Sequence, residues 1–135
     1  MRIAFCLAAV ASLAASPALA GPVVDDAAKA AQTWLGLIDA GAYGQSWQAA
    51  GDLFRAHVTV AAWTLEVQPT RHDLGPVSAR AFAGEQESQT MAGGPDGNWK
   101  VLQFSTSFAK KAAATETVVM LKQPDGWKVD GYFIK

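Results

Sequence analysis

The stretch TETVVMLKQPDGWKVDGYFIK, residues 115–135, decides the fold, because it predicts two β-strands joined by a tight turn. β-Branched and aromatic residues dominate both halves, as is typical of strands. Asp125-Gly126 supplies the residues that a hairpin needs where φ becomes positive, and Pro124 stiffens the approach. A similar PDGNWKV at 95–101 predicts a second tight turn. The segments between the two copies share no longer pattern, so they are not an internal repeat.

The loop of the hairpin at 115–135, either Asp125-Gly126 or Gln123 to Gly126, determines which side chains share a face of the sheet. A loop with an even number of residues places six of them on one side: Trp127, Val129, Phe133, Met120, Val118 and Glu116. This is the more apolar side of the last strand, so we expect it to face the helices while Lys128, Asp130 and Tyr132 point away. Glu116 would then be buried and would need a partner, for which Arg80 and Arg55 are the candidates.

Two further strands precede the hairpin. PVSARAFAG predicts a strand that starts at Pro76 and extends toward Met91, with a bulge at Gly84. NWKVLQFSTSF predicts the next one. The short polar or glycine-containing connections favour an antiparallel meander of four strands.

Helical spacing of apolar residues marks the N-terminal half of the chain. It predicts three helices, over 25–40, 42–50 and 52–68. The third has its predicted apolar face at four positions: Phe54, Val58, Ala61 and Leu65. Pro69 is expected to end this helix, since proline lacks the backbone N–H. The following TRHDLG, residues 70–75, is then predicted to be a loop.

The first residues predict export. Arg2 precedes a mostly apolar stretch over 3–15, and SPALA places Ala18 and Ala20 in the small-x-small pattern of a signal-peptidase site. The stretch is shorter than the roughly 20 residues that a transmembrane helix needs. We therefore expect a signal peptide over 1–20, cleavage after Ala20, a single α+β domain over 21–135 and a periplasmic or secreted location.

Composition and spacing argue against several kinds of site. Cys6 is the only cysteine and lies in the segment expected to be removed, so no disulfide or thiol chemistry is predicted. Without Arg2 the chain has 10 basic and 12 acidic residues, a balance that gives no reason to expect nucleic acid or an anionic membrane as a partner. His57 and His72 lack metal-ligand spacing, so neither a metal nor a cofactor is predicted.

Helices followed by a meander predict an α+β fold in which a curved four-stranded sheet wraps around three helices. Four stretches resemble the small exported bacterial family called domain of unknown function 4019: AAQTWLGLIDAGAYGQSWQAAGDLFR, LGPVSAR, GGPDGNWKVLQFSTSFAKKAAATETV and GWKVDGYFIK. The resemblance covers about 25–135, and the run from Gly94 to Val118 is its most specific part. It implies the cone-like fold of the nuclear-transport-factor-2-like (cystatin-like) superfamily and a periplasmic or secreted setting, but no activity. TRHDLG departs from the family's usual Arg, small residue, Pro-Leu-Gly, which leaves Arg71 and His72 without an implied role.

Two kinds of function fit this sequence. The first is a noncatalytic module that binds a small apolar ligand or an envelope protein at the mouth of the cone. The alternative is a small lyase, isomerase or hydrolase, in which burial raises the pKa of a carboxylate beside a tyrosine. An enzyme would need Glu116 near Tyr43, or a register that turns Asp130 and Tyr132 inward. No catalytic residue is assigned, and the candidate binding residues are Trp34, Tyr43, Trp47, Arg80 and Glu116.

The predicted outer face of the sheet points to self-association. Helices cover one side of the meander, and the other carries Tyr132, Val119 and Leu121. These are more apolar than a free surface needs, so we expect a homodimer through the sheet.

Overall fold

The computed structural model describes residues 25–135, so the predicted signal peptide and its cleavage site lie outside the described residues. Helices come first and strands follow: α1 (Asp26–Asp39), α2 (Tyr43–Ala49), α3 (Asp52–His57), α4 (Val60–Leu74), β1 (Val77–Ser88), β2 (Trp99–Phe108), β3 (Lys111–Gln123) and β4 (Gly126–Ile134). The α+β class is confirmed, and residues 25–135 form four helices in place of the predicted three. No helix in this part of the chain is long and apolar enough to cross a membrane.

The strands form one antiparallel sheet in sequential order, which confirms the predicted meander. Gln123 pairs with Gly126, whose φ of 122° is the positive value that glycine tolerates, so the turn at 124–126 is tight as predicted. The first PDG copy is different. It lies in the longer connection 89–98, where the Gly97 N–H donates to the Gln89 carbonyl and the Trp99 indole donates to the Pro95 carbonyl. These bonds fold the connection over the sheet and replace the predicted tight turn.

The core lies between α1 and the inner face of the sheet. Asp25 caps α1 by accepting the Ala28 N–H at 2.9 Å. The buried residues of α1 lie on one stripe: Ala27, Ala28, Ala31, Trp34, Leu35 and Ile38. They pack against inward-facing residues of β2, β3 and β4: Leu102, Phe104, Val118, Met120 and Val129. Burial of these apolar side chains is the main term that holds the helices on the sheet.

The predicted third helix is in fact two helices. Val58 leaves the helical conformation, with φ −135° and ψ 132°, and ends α3. Thr59 then caps α4, because its side chain accepts the Ala62 N–H at 3.1 Å. The single helix predicted over 52–68 is therefore wrong.

Pro69 lies inside α4, which continues through the predicted loop 70–75 and ends at Leu74. Because Pro69 has no backbone N–H, α4 lacks one helical hydrogen bond, the one to the carbonyl of Leu65. Both residues are exposed, and Leu65 is 78% exposed instead of belonging to the buried face as predicted. The buried face consists of residues four positions apart: Trp63, Val67 and Arg71. Their contacts with the interior hold the helix past the proline, so the predicted stop and loop are wrong.

A shift of register in β4 adds one residue to that strand. Met120 pairs with Val129, and the preceding Val119 pairs with Gly131, so Asp130 is the extra residue of a β-bulge. A similar shift separates Phe82 from Gly84 in β1, where the sequence predicts a bulge.

The bulge in β4 reverses the alternation of side chains beyond it. Before it, Trp127 and Val129 pack toward the core, which confirms the predicted face. After it, Tyr132 packs against the core and Phe133 is 61% exposed on the outer side, the opposite of the predicted orientations. Leu121 and Val119 stay on the predicted outer face, where Leu121 is buried beneath Gly97 of the connection 89–98, so of the three residues predicted for that face only Tyr132 has left it.

Candidate functional site

Glu116 is completely buried on the inner face of β3, and its carboxylate accepts three hydrogen bonds. Oε1 accepts Arg80 Nε at 2.7 Å and Thr106 Oγ1 at 2.6 Å. Oε2 accepts the Tyr132 hydroxyl. The inward position of Glu116 and its pairing with Arg80 agree with the prediction. The three donors supply the compensation that a buried carboxylate requires.

The second charged residue of this site is Asp39, at the end of α1. Arg80 binds it through two nitrogens, with Nη1–Oδ2 at 2.7 Å and Nη2–Oδ1 at 3.0 Å. Arg71, from α4, adds a bond from Nη2 to Oδ1 at 2.8 Å. Arg55, the other predicted partner of Glu116, instead pairs with Asp52 on the surface at 2.5 Å. We call Asp39, Arg71, Arg80 and Glu116 the charge cluster.

The charge cluster contains two arginines and two carboxylates, so its formal charges balance. Burial acts to raise the pKa of Asp39, but hydrogen bonds from Arg80 and Arg71 outweigh it and hold that pKa below its ordinary value. Burial acts to lower the pKa of Arg80, yet its bonds to Asp39 and Glu116 raise it. Each ionised form is therefore stabilised by its neighbours, as expected of a structural ion-pair network.

Arg71 is the most enclosed member of the charge cluster after Glu116, with 6% of its side chain exposed. Its guanidinium lies over the Phe108 ring, 5.0 Å from the centroid, a cation–π contact. Within residues 25–135, its Nε and Nη1 have no hydrogen-bond partner. A cleft of about 520 Å³ beside it is lined by residues that include Tyr43 and His72.

Aromatic side chains fill the interior next to Glu116. Tyr132 meets Trp34 edge-on, with centroids 5.3 Å apart, and Trp63 at 6.5 Å. The indole of Trp34 donates to the Ser46 carbonyl at 2.8 Å, and that of Trp63 donates to Ser46 Oγ at 3.0 Å. Burial, and then the neighbouring Glu116 charge, raise the pKa of the Tyr132 phenol. Tyr132 therefore stays protonated and donates to Glu116 throughout the physiological range.

The five predicted site residues do not form one pocket. Arg80 and Glu116 are bonded to each other, and Trp34 reaches them through Tyr132. Tyr43 lies in the cleft beside Arg71. Trp47 uses its indole to donate to the Val58 carbonyl at 2.8 Å, which ties α2 to the end of α3.

The arrangement is poorly suited to proton transfer. The enzymatic alternative requires Glu116 near Tyr43 or a register that turns both Asp130 and Tyr132 inward. Tyr132 does face inward, whereas Asp130 lines a groove on the outer side of β4. Both oxygens of Glu116 are also occupied by internal donors, and the side chain has no exposed surface from which to reach a substrate. A general base must lie within hydrogen-bond reach of the proton that it removes.

Two grooves open on either side of the exposed Phe133. One, of about 250 Å³, lies between α4 and β4. The other, of about 290 Å³, lies between α3, the segment Met91–Gly94 and the outer face of β4. Asp130 lines the second groove and accepts the Phe54 N–H at 3.0 Å; burial raises its pKa. No cluster of three or more potential metal ligands occurs between residues 25 and 135.

Four residues of this site were not among the candidates predicted from the sequence: Asp39, Arg71, Thr106 and Tyr132. Asp39 carried a signal, because an acidic residue in the last turn of a helix opposes the helix dipole and so needs a partner elsewhere. Tyr132 was assigned to the wrong face because the bulge at Asp130 was not recognised. Thr106 lies on a strand rich in Ser and Thr, and nothing in the pattern distinguishes it from its neighbours.

A family model described as "Protein of unknown function (DUF4019)" matches residues 30–132. No curated protein matches the chain. The matched span includes all four helices in whole or in part and nearly all of the sheet, so the resemblance seen in the sequence is confirmed over the described fold.

Proposed function

The chain belongs to the DUF4019 family of proteins of unknown function, and we propose that it is an exported, noncatalytic module that binds a small apolar ligand or a protein partner in the cell envelope. The observation that carries this proposal is the state of Glu116. Its carboxylate is fully buried and accepts bonds from Arg80, Thr106 and Tyr132, so it stabilises the fold and is not offered to a substrate. Binding is then assigned to the surface around Phe133.

Phe133 is the strongest surface feature for such a role. It is 61% exposed and lines both grooves described above. An exposed aromatic residue beside concave apolar surface is typical of a binding site. Leu65, which is 78% exposed, lines neither of these two grooves and provides a matched control.

Titration with the apolar dye Nile red tests the proposal. Wild-type protein should bind the dye saturably, Phe133→Ser should abolish saturation, and Leu65→Ser should leave it unchanged. Equal loss in both variants would contradict the assignment of binding to Phe133, and no saturable binding by the wild type would contradict a small apolar ligand.

The alternative function is a small lyase, isomerase or hydrolase that uses Glu116. One observation favours it: Tyr132 both donates to Glu116 and lines the groove between α4 and β4. A substrate in that groove would have to displace the tyrosine to reach the carboxylate. Turnover lost in Glu116→Gln without loss of thermal stability would establish this alternative.

The proposed setting and fold rest on two further supports. We expect export with cleavage after Ala20, so mass spectrometry of periplasmic protein should find Gly21 at the N-terminus; an intact Met1 would contradict export. A nuclear-transport-factor-2-like (cystatin-like) cone is supported by helices packed on a sheet that shifts register in each strand pair, since bulges bend strands.

Self-association through the outer face of the sheet is also proposed, with a changed set of residues. Phe133 takes the place that the sequence assigns to Tyr132, and Val119 stays half-buried beside it on that face. Sedimentation at high concentration should detect a dimer that Phe133→Ser weakens, and a strict monomer would argue against it.

A further inference from the structure

β4 is an edge strand, and the beginning of its open edge is already covered. The order β1-β2-β3-β4 leaves one side of β4 without a neighbouring strand in the described part of the chain. The Gly51 N–H donates to the Val129 carbonyl at 2.8 Å, so the link between α2 and α3 closes the edge there. The end of the strand, beyond the bulge, lies opposite α4 instead.

The hydrogen-bond pattern shows which backbone groups the end of β4 presents. Thr115 and Lys135 exchange two backbone hydrogen bonds, each 2.9 Å long, which makes them a hydrogen-bonded pair of the β3–β4 ladder. Such pairs alternate with pairs that turn their N–H and C=O outward. Tyr132 and Ile134 occupy the outward positions in the observed register. Each therefore presents one donor and one acceptor to the open edge.

The space next to these groups is a groove with apolar walls. Trp63 and Val67, both buried, form the α4 wall, and Tyr132, Phe133 and Ile134 form the β4 wall. Its volume is about 250 Å³. That is enough for a few side chains of an extended segment, whose alternate residues point the same way.

We propose that this groove binds an extended segment of a partner protein, which adds to the sheet as a fifth strand beside Tyr132 and Ile134. The inference rests on the proposed function and names the partner of the same surface. Backbone bonds to the edge would supply affinity, and apolar side chains in the groove would supply selectivity. Phe133, at the rim, would cover the bound segment.

Charge complementarity specifies the segment further. Glu66, exposed on α4, is the charged residue among those that line the groove. A segment lying between α4 and β4 would therefore carry a lysine or arginine that faces Glu66, flanked by β-branched or aromatic residues. An acidic segment would be repelled.

A random nine-residue peptide library displayed on phage provides the probe. The enriched peptide should alternate apolar residues with a basic one, and its affinity is measured by fluorescence anisotropy. Ile134→Pro removes an outward N–H that the β3 ladder does not use, a substitution that edge strands accept. Ile134→Pro should weaken peptide binding at least about tenfold, because the proline ring occupies the position of the backbone N–H that would donate to the peptide. Ile134→Val keeps the N–H and should bind like the wild type.

Two measurements keep the test independent of how Ile134→Pro folds. The same peptide with alternate backbone amides N-methylated should lose affinity for unaltered protein. Glu66→Lys should reject the basic peptide and accept one in which the basic residue is replaced by Glu.

Each contrary outcome has a definite meaning. If no peptide is enriched, or if peptides bind the proline and valine variants equally, the edge is not the site. Peptides that bind both variants but not Phe133→Ser would overturn the inference and leave the proposed binding module intact. A dimer formed without peptide and lost in Ile134→Pro would replace the partner segment by a second copy of the chain.

Discussion

Neutralising Glu116 should expose the structural role of the charge cluster. Glu116→Gln keeps the shape of the side chain but removes the negative charge that strengthens three hydrogen bonds, from Arg80, Thr106 and Tyr132, and it replaces one accepting oxygen by an NH2 group that cannot accept. Bonds to charged groups are worth about 1 kcal/mol more than neutral bonds, so the expected loss is about 3 kcal/mol. Breaking one side of a buried pair gives a similar figure of about 3–5 kcal/mol. For a domain of this size the melting temperature should fall by roughly 12 °C.

Thermal melts followed by far-ultraviolet circular dichroism check this prediction. Glu66→Gln removes an exposed carboxylate from α4 and should change the free energy of unfolding by less than about 0.5 kcal/mol. Tyr132→Phe removes the only donor that residues 25–135 provide to Oε2 of the buried carboxylate and should cost about 1.5–3 kcal/mol. If Glu116→Gln melts within about 2 °C of the Glu66 control, where a shift of about 12 °C is expected, the structural account of Glu116 is wrong.

Three further predictions test other parts of the fold. Gly51→Ala should lower the free energy of unfolding by about 1–3 kcal/mol, because its new Cβ would lie 2.3 Å from Asp130 Oδ1. The loss should be smaller when Asp130 is also changed to Ala. Equal losses with and without Asp130→Ala, measured by chemical denaturation, would refute the clash. Pro69→Ala should raise the melting temperature by restoring the bond to the Leu65 carbonyl, worth up to about 3 kcal/mol, and an unchanged melt would show that α4 is not strained there. The pKa of Asp39 is lowered in the folded protein, so its contribution to stability is lost as pH falls below about 4. The pKa of Asp130 is raised, so protonation of Asp130 increases the free energy of unfolding as pH falls. Denaturation between pH 6 and pH 3 should therefore show a shallower acid loss in Asp39→Asn and a steeper one in Asp130→Asn, and the reverse order would contradict both assignments.

Local turn chemistry made much of the sheet predictable. Asp125-Gly126 led to the correct hairpin parity as far as Val129, and that parity identified Glu116 as a buried carboxylate with Arg80 as its partner. The same reasoning failed after Asp130. A bulge adds one residue without a change in composition, so Tyr132 and Phe133 exchange faces although the alternation of residue types continues.

The helices were harder to predict where tertiary contacts override local preference. Pro69 is a strong local signal for a helix end, yet Trp63 and Arg71 anchor α4 on both sides of it. Asp39 was not predicted as a site residue, because its partners come from distant parts of the chain. Pattern reasoning therefore found one half of the candidate site and missed the half that depends on long-range pairing.

The charge cluster also affects how the protein unfolds. Its members belong to α1, α4, β1 and β3, and its pairs join residues 32 to 41 positions apart in the chain. Such contacts require several segments to be docked at once, so we expect them to form after the main folding barrier and to break only on crossing it in reverse. Interactions of that kind slow unfolding and leave the folding rate almost unchanged. For a protein expected to work outside the cytoplasm, a buried ionic link between four segments would then lengthen the lifetime of the native state.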